Sequence, residues 1–174
     1  MKPVVVDTNV LAVSDGRAEA QASAKCKAAC DARLHKLKTN GVVVIDRDFL
    51  LLGEYLKNIN MRKQSVAVAF LKWLMQGSAR DARVSSVILT PTNAAKTAFV
   101  EYPEHPGLAG FDQSDRKFVA VAYAHQPRGT ILNAVDTDWL AIRSPLAELG
   151  VGLESVCEEE LRAIAHEKGL DPDA

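Results

Sequence analysis

Short runs of aliphatic and β-branched residues alternate along the chain with longer stretches in which apolar residues recur at helical spacing. Runs such as Val4–Val6 contain no polar position, which is typical of a strand buried on both faces of a parallel sheet. We predict strands at 4–6, 42–45, 130–135 and 151–156, and a short strand or extended segment at 84–89.

Helical periodicity fills most of the intervals between these runs. The clearest example is DQSDRKFVAVAYAH at 112–125, whose apolar residues fall on one helical face. Asn40 and Gly41 are expected to end the first helix, and Asp48 to cap the second. The predicted helices cover 17–38, 48–59, 63–76, 112–125, 138–148 and 158–169.

The order of these elements predicts the fold class. Strands that alternate with helices form an α/β domain, here a three-layer α/β/α arrangement with a mainly parallel central sheet. The 174 residues suit one domain, and a hydrophobic content of 48% allows a sizeable core. We therefore expect a single domain over residues 1–174.

Charge and hydropathy narrow the classes of function. The formal net charge is −1, whereas domains that bind nucleic acid are often basic overall. A polyanionic partner would therefore be held by a local basic patch or by metal ions. No apolar stretch approaches the ~20 residues that cross a bilayer, and the short apolar run after Met1 is not a signal-peptide core. We expect a cytoplasmic protein with no membrane contact.

The three cysteines, Cys26, Cys30 and Cys157, are interpreted as small buried residues. Cys26 and Cys30 share one helical face, but no second cysteine pair or group of histidines accompanies them as in a metal site. An odd number of cysteines without a secretory leader also argues against a disulfide framework.

Acidic residues stand at four suggestive positions. Asp7 directly follows the first strand, and Asp136 follows a later one. The carboxyl ends of parallel strands meet at one edge of the sheet, so these two side chains are expected to be neighbours. Glu54 interrupts the apolar run LLLGEYL, and Asp115 lies in the first turns of its helix.

Asp112 and Asp138 lie close to these residues in the sequence, beside Asp115 and Asp136 respectively. Each has a simpler interpretation, because an Asp just before a helix is a common N-cap. Asp7 also has a simpler interpretation, as a turn residue at the end of a strand. The sequence pattern leaves these alternatives open.

A convergent set of acids would need a counter-charge, because carboxylates within ~4–6 Å of one another repel and raise each other's pKa. Mg²⁺ and Mn²⁺ prefer oxygen ligands, and two such ions can orient a water and stabilise the departing oxygen of a phosphodiester. The chain has no HExxH motif, no CxxC pair and no GxxxxGK[ST] loop. The acids therefore indicate a Mg²⁺ or Mn²⁺ site.

The order of the acidic motifs resembles that of the PIN-domain nucleases. VVVDTNVL, GEYL, DQSDRKFVAVA and AVDTDWL match the family's four acidic stations in order. The resemblance implies a PIN-like fold with a core over about residues 3–156, followed by the C-terminal helix at 158–169, and metal-dependent endoribonuclease activity. The implied catalytic and metal-binding acids are Asp7, Glu54, Asp115 and Asp136, with Asp138 and Asp112 as further metal ligands.

Neighbouring residues receive roles from the same resemblance. Thr8 and Asn9 would orient the carboxylates, or act only as turn residues, and Arg116 and Lys117 would contact the substrate phosphate, or act as surface charges. The implied partners are an RNA substrate, an antitoxin protein if the chain is a bacterial toxin, and a second copy in a homodimer. The alternative is a non-catalytic PIN-like module that binds nucleic acid or protein. A haloacid-dehalogenase-type phosphohydrolase would need a second Asp where Asn9 stands.

Overall fold

One sheet of five parallel strands forms the centre of the computed structural model, which describes residues 2–17, 22–77 and 81–171. The strands are β1 Val4–Val6, β2 Val43–Asp46, β3 Val84–Val87, β4 Thr130–Asn133 and β5 Gly152–Ser155. Every neighbouring pair is parallel. The predicted parallel sheet is therefore confirmed.

Seven α-helices flank this sheet, which confirms the predicted three-layer α/β/α class in the part of the chain that is described. They are α1 Thr8–Ser14, α2 Ala24–Asn40, α3 Leu50–Asn58, α4 Val66–Gly77, α5 Arg116–Ala124, α6 Arg143–Glu148 and α7 Glu158–Glu167. Two 3₁₀-helices, Pro106–Leu108 and Thr137–Ile142, lie among them.

The strand order β3-β2-β1-β4-β5 creates a switch point in the middle of the sheet. The chain moves outward from β1 through β2 to β3 and then returns to place β4 on the other side of β1. Val4 accordingly pairs with Val43 on one side and with Thr130 on the other. Connections that diverge from such a point leave a crevice beyond the carboxyl ends of the two central strands.

Helix α1 was not predicted, because a helix of seven residues has little stability of its own. Its apolar residues Val10, Leu11 and Val13 are buried, so tertiary packing stabilises it. The predicted helix at 17–38 begins later, at Ala24, because the Ser23 hydroxyl accepts a hydrogen bond from the Cys26 N–H at 3.1 Å and caps α2 there. Positions 18–21 of that prediction lie outside the described residues.

The N-terminus of α3 is capped by Asp46 and not, as predicted, by Asp48. The Asp46 carboxylate accepts hydrogen bonds from the N–H groups of Leu50 at 2.7 Å and Leu51 at 2.9 Å. The chain reaches this geometry through Phe49, which has a φ of 60°, while Asp48 is exposed. The cap therefore comes from the end of β2, four residues before the helix begins.

A disulfide joins Cys26 to Cys157, across 131 positions of sequence. The interpretation of the three cysteines as small buried residues is confirmed, whereas the argument against a disulfide was wrong, and only Cys30 is free. Burial raises the pKa of the Cys30 thiol to about 12. Sequence spacing could not reveal the bond, because the start of α2 and the start of α7 meet only in the folded chain.

None of the described helices is both long enough and apolar enough to cross a membrane.

Candidate metal centre

Asp7 lies at the switch point, between the end of β1 and the start of α1. It is 3% exposed. One carboxylate oxygen accepts a hydrogen bond from the Asn9 N–H at 3.4 Å, and the other accepts from the Asn9 side-chain amide and from Trp139 Nε1 at 2.6 Å. These donors are neutral, and no Lys or Arg of the described residues forms an ion pair with Asp7.

Asp136 follows β4 on the other side of the switch point. The buried side chain of Asn133 holds the backbone of Asp136. Its Nδ2 donates to the Asp136 carbonyl at 2.9 Å, and its Oδ1 accepts from the Asp136 N–H at 3.2 Å. Asn9 Oδ1 accepts from the Ala134 N–H at 2.8 Å, which ties this turn to α1. The Asp136 carboxylate itself accepts from the Asp138 N–H at 3.0 Å and caps the 3₁₀-helix.

Asp115 occupies the N-cap position of α5, but its side chain makes no capping hydrogen bond. Helix α5 is anchored by a continuous buried segment, Phe118 to Ala122, so the Asp115 carboxylate is placed by a rigid element. Burial raises its pKa to about 7, with a further contribution from the charge of Asp136. The ammonium of Lys117 opposes that rise.

Burial is also the main reason why the pKa values of Asp7 and Asp136 are raised. The negative charges of Asp136 and Asp115 raise the pKa of Asp7 further, whereas its hydrogen bonds from Trp139 and Asn9 lower it. Asp7, Asp115 and Asp136, called the acidic cluster below, thus interact electrostatically although 129 positions separate the outer two in sequence.

Glu54 borders the acidic cluster from α3. The hydroxyl of the neighbouring Tyr55 donates to the Val6 carbonyl and so fixes this helix against β1. Thr8 Oγ1 donates to the Glu54 carboxylate at 2.5 Å, and Lys117 forms an ion pair with it. Glu54 is therefore already neutralised, unlike Asp7, while its charge still raises the pKa of Asp115.

The four predicted acids meet at one edge of the sheet, but not in tight contact. Among the described residues, no three acidic side chains offer oxygens that all lie within 4.8 Å of one another. Mg²⁺ characteristically keeps several of its waters and uses only one or two carboxylates directly. The spacing therefore suits a hydrated ion better than a cage made wholly of protein oxygens.

Asp112 and Asp138 line one groove beside the acidic cluster, with a volume of about 490 Å³. Neither caps a helix as the simpler interpretation expected, since α5 begins at Arg116 and the 3₁₀-helix begins at Thr137. The Asp112 carboxylate accepts from the Ser114 N–H at 2.6 Å and closes the turn that precedes α5. Both aspartates are exposed, which suits contact with solvent or substrate.

Arg116 and Lys117, the two basic residues after Asp115, contact different partners. Arg116 donates to the carbonyls of Ala109 at 2.9 Å and Phe111 at 3.2 Å, and its guanidinium lies 5.3 Å from the Tyr102 ring centre. It thus stabilises the loop before α5. Lys117 instead lies against Glu54, where its ammonium borders the acidic cluster.

Sequence reasoning missed three residues of this site. Trp139 donates to Asp7, Asn133 holds the turn before Asp136, and Lys168 at the end of α7 donates to Thr137 at 3.0 Å and lowers the pKa of Asp136 through its charge. Of these, only Trp139 carried a local signal, as an aromatic residue three positions after a strand-terminal Asp.

Replacing Trp139 with Phe tests how its N–H supports Asp7. The ring packs against Phe111 with centres 5.0 Å apart, so Phe preserves an aromatic contact while the donor is lost. We expect the free energy of unfolding to fall by about 2 kcal/mol, the usual worth of a hydrogen bond to a charged group, and the pKa of Asp7 to rise further.

Urea denaturation measures this loss, and Trp73→Phe is the matched control. The Trp73 N–H donates at 3.1 Å to Asp81, which lies near the surface, so we expect its removal to cost less than removal of the Trp139 donor. Equal losses in the two variants would contradict a special role for the Trp139 donor.

The donor set of the acidic cluster fits a hard divalent ion. The available ligands are carboxylate oxygens, which Mg²⁺ and Mn²⁺ prefer, and burial of Asp7 without a cationic partner leaves a negative charge that an ion would compensate. Asp7 and Asp136, which follow the two central strands, would hold it together with Asp115.

Comparisons with protein-family models, with curated proteins and with solved structures gave no match. The arrangement of side chains at the switch point is therefore the basis for a functional argument.

Proposed function

We propose that the protein is a Mg²⁺- or Mn²⁺-dependent endoribonuclease that acts through the acidic cluster. The observation that carries the proposal is the meeting of Asp7, Asp115 and Asp136, whose pKa values are raised mainly by burial, beyond the carboxyl ends of the central strands. Ligands of parallel α/β sheets bind at such a switch point. The choice of RNA as substrate rests on the likeness of the acidic motifs to those of PIN-domain nucleases.

The reaction would be hydrolysis of a phosphodiester, in which water attacks phosphorus and the bond to the 3′-oxygen breaks, leaving a 5′-phosphate and a 3′-hydroxyl. The bound ion would supply charge stabilisation and an oriented water. Asp7 serves as a ligand whose position is fixed by Asn9 and Trp139. Asp136 is held equally firmly through Asn133.

Substrate contact is assigned to the rim of the cluster. Lys117 offers an ammonium beside Glu54, where it can attract a phosphate oxygen as the RNA backbone enters. A groove lined by Asp112 and Asp138 lies beside the acidic cluster. Because these two carboxylates would repel RNA by themselves, the groove is suited to a backbone accompanied by divalent ions.

Cleavage of labelled single-stranded RNA tests the proposal. We expect cleavage in Mn²⁺ and none in EDTA, with 5′-phosphate ends on the products. Asp136→Asn should reduce the rate by about 100-fold or more, because it removes a ligand that stabilises the transition state. Asp48→Asn is the matched control, since it makes the same change of charge at an exposed position and should leave the rate unchanged.

Equal cleavage by wild type and Asp136→Asn would point to a contaminating nuclease and refute the assignment. Binding of Mn²⁺ without cleavage of RNA would favour the non-catalytic binding module. The antitoxin partner and the homodimer stay predictions.

A further inference from the structure

A second group of metal-ligating side chains lies where α2 meets α7. The sulfur atoms of Cys26, Cys30 and Cys157 all lie within 4.8 Å of one another, and the three residues are buried. They are all the cysteines of the chain. We call them the cysteine cluster.

Cys26 and Cys157 form the disulfide, and the sulfur of Cys30 lies within 4.8 Å of both of their sulfurs. Cys30 follows Cys26 by one turn of α2, so their side chains share the face that meets Cys157. Three thiolates around a tetrahedral Zn²⁺ have Zn–S distances of about 2.3 Å and sulfurs about 3.8 Å apart. In the oxidised protein the sulfurs of Cys26 and Cys157 are bonded to each other, so they would have to move apart after reduction to reach this spacing.

Two of the three cysteines lie at helix N-termini. Cys26 lies in the first turn of α2, which has 17 residues, and Cys157 directly precedes α7, which has 10. The N-terminal end of a helix carries a partial positive charge that stabilises a thiolate. At Cys30 an ion has to displace the thiol proton, because burial raises the pKa of that thiol.

The cluster opens onto a groove of about 270 Å³, which gives an ion access and a fourth ligand. The groove is lined by the acidic segment Glu158 to Glu160 as well as by Lys25 and Ala29. The Glu160 carboxylate accepts hydrogen bonds from the N–H of Ser23 at 3.0 Å and from the hydroxyl of Ser23. Lys25 pairs with Glu159 at 3.0 Å, and Arg143 and Arg162 pair with Glu158, so basic side chains already compensate part of this acidic charge.

We propose that the cysteine cluster, once its disulfide is reduced, binds one thiophilic divalent ion such as Zn²⁺, with the fourth coordination position facing the acidic groove. Reduction by a dithiol converts the Cys26–Cys157 bond into two thiols while the reductant forms its own disulfide. The ion then replaces the thiol protons of the three residues. This site is independent of the acidic cluster and of the proposed nuclease activity.

Titration of the reduced protein with Co²⁺, followed by displacement with Zn²⁺, tests the proposal. We expect one Co²⁺ per chain with a thiolate-to-cobalt charge-transfer band, which oxygen ligands do not produce, and loss of the band when Zn²⁺ is added. Asp136→Asn should keep the band, because it alters only the acidic cluster. Cys30→Ser should weaken binding by about 100-fold or more, the share of one ligand in a zinc site.

Cys30→Ser is the informative variant because it leaves the disulfide partners intact. Formation of the Cys26–Cys157 bond and an unchanged circular dichroism spectrum in the oxidised variant would show that it folds. A second readout on wild type is protection from alkylation, since Zn²⁺ should shield all three thiols. Absence of the charge-transfer band in reduced wild type, or equal affinity in Cys30→Ser, would overturn the proposal.

Discussion

Asp7→Asn is expected to reduce Mn²⁺-dependent cleavage of RNA by about a thousandfold, which corresponds to about 4 kcal/mol of transition-state stabilisation. Asp7 is the most buried member of the acidic cluster and is held by Asn9 and Trp139. Its loss should therefore affect the reaction more than the loss of any ligand at the rim. Single-turnover cleavage with excess enzyme measures the effect on the chemical step.

Stability measurements separate this loss of function from a loss of structure. Asn is nearly isosteric with Asp and removes a buried charge, so the metal-free variant should melt at the same temperature as wild type or higher. Wild type should gain about 2.7 kcal/mol of stability when Mn²⁺ is present at 100 times its dissociation constant, and Asp7→Asn should gain little. Asp48→Asn should behave as wild type in both measurements.

A variant that unfolds, or one that retains both cleavage and stabilisation by Mn²⁺, would remove Asp7 from the proposed site. The first result would assign it a purely structural role. The second would mean that ion binding occurs elsewhere on the protein.

The second large effect is a pH dependence with opposite signs in the absence and presence of the ion. In the metal-free protein the pKa of Asp115 is raised from 3.8 to about 7, and those of Asp7 and Asp136 are also raised. Between pH 3.8 and about pH 7, the Asp115 carboxyl keeps its proton in the folded state and has released it in the unfolded state. Stability is therefore expected to fall as pH rises from about 4 to about 7, with a slope near 1 kcal/mol per pH unit.

Divalent ions should reverse the trend, because they bind the ionised carboxylates and compete with protons. The increase in melting temperature caused by Mn²⁺ is expected to grow over the same range, and cleavage should become faster as Asp115 ionises. Carboxyl groups with a lowered pKa, such as Asp81 beside Arg83, finish titrating at lower pH and do not interfere.

Thermal denaturation over this pH range, with EDTA or with Mn²⁺, measures both slopes. Asp115→Asn should flatten the metal-free slope, whereas Asp48→Asn should not change it. A metal-free melting temperature that rises steadily from about pH 4 to about pH 7 would contradict the raised pKa values.

The sequence alone was sufficient for most of the fold. Uniformly apolar runs such as Val4–Val6 specify strands buried on both faces, and their alternation with amphipathic helices leads to a parallel sheet. It failed for α1 and for the cap of α3, where the decisive contacts are the burial of Val10 and Leu11 and the hydrogen bonds of Asp46. Those contacts depend on neighbours that local periodicity does not describe.

For the candidate site, the sequence alone placed Asp7 and Asp136 at strand ends that a parallel sheet must bring together. Only the tertiary structure decided that Trp139 donates to Asp7, that Lys117 neutralises Glu54, and that Cys157 reaches Cys26. The physical reason is the sequence range over which each kind of interaction acts. Periodicity and capping act over a few residues, whereas burial, charge interaction and covalent pairing depend on which distant segments the packed helices and strands bring into contact.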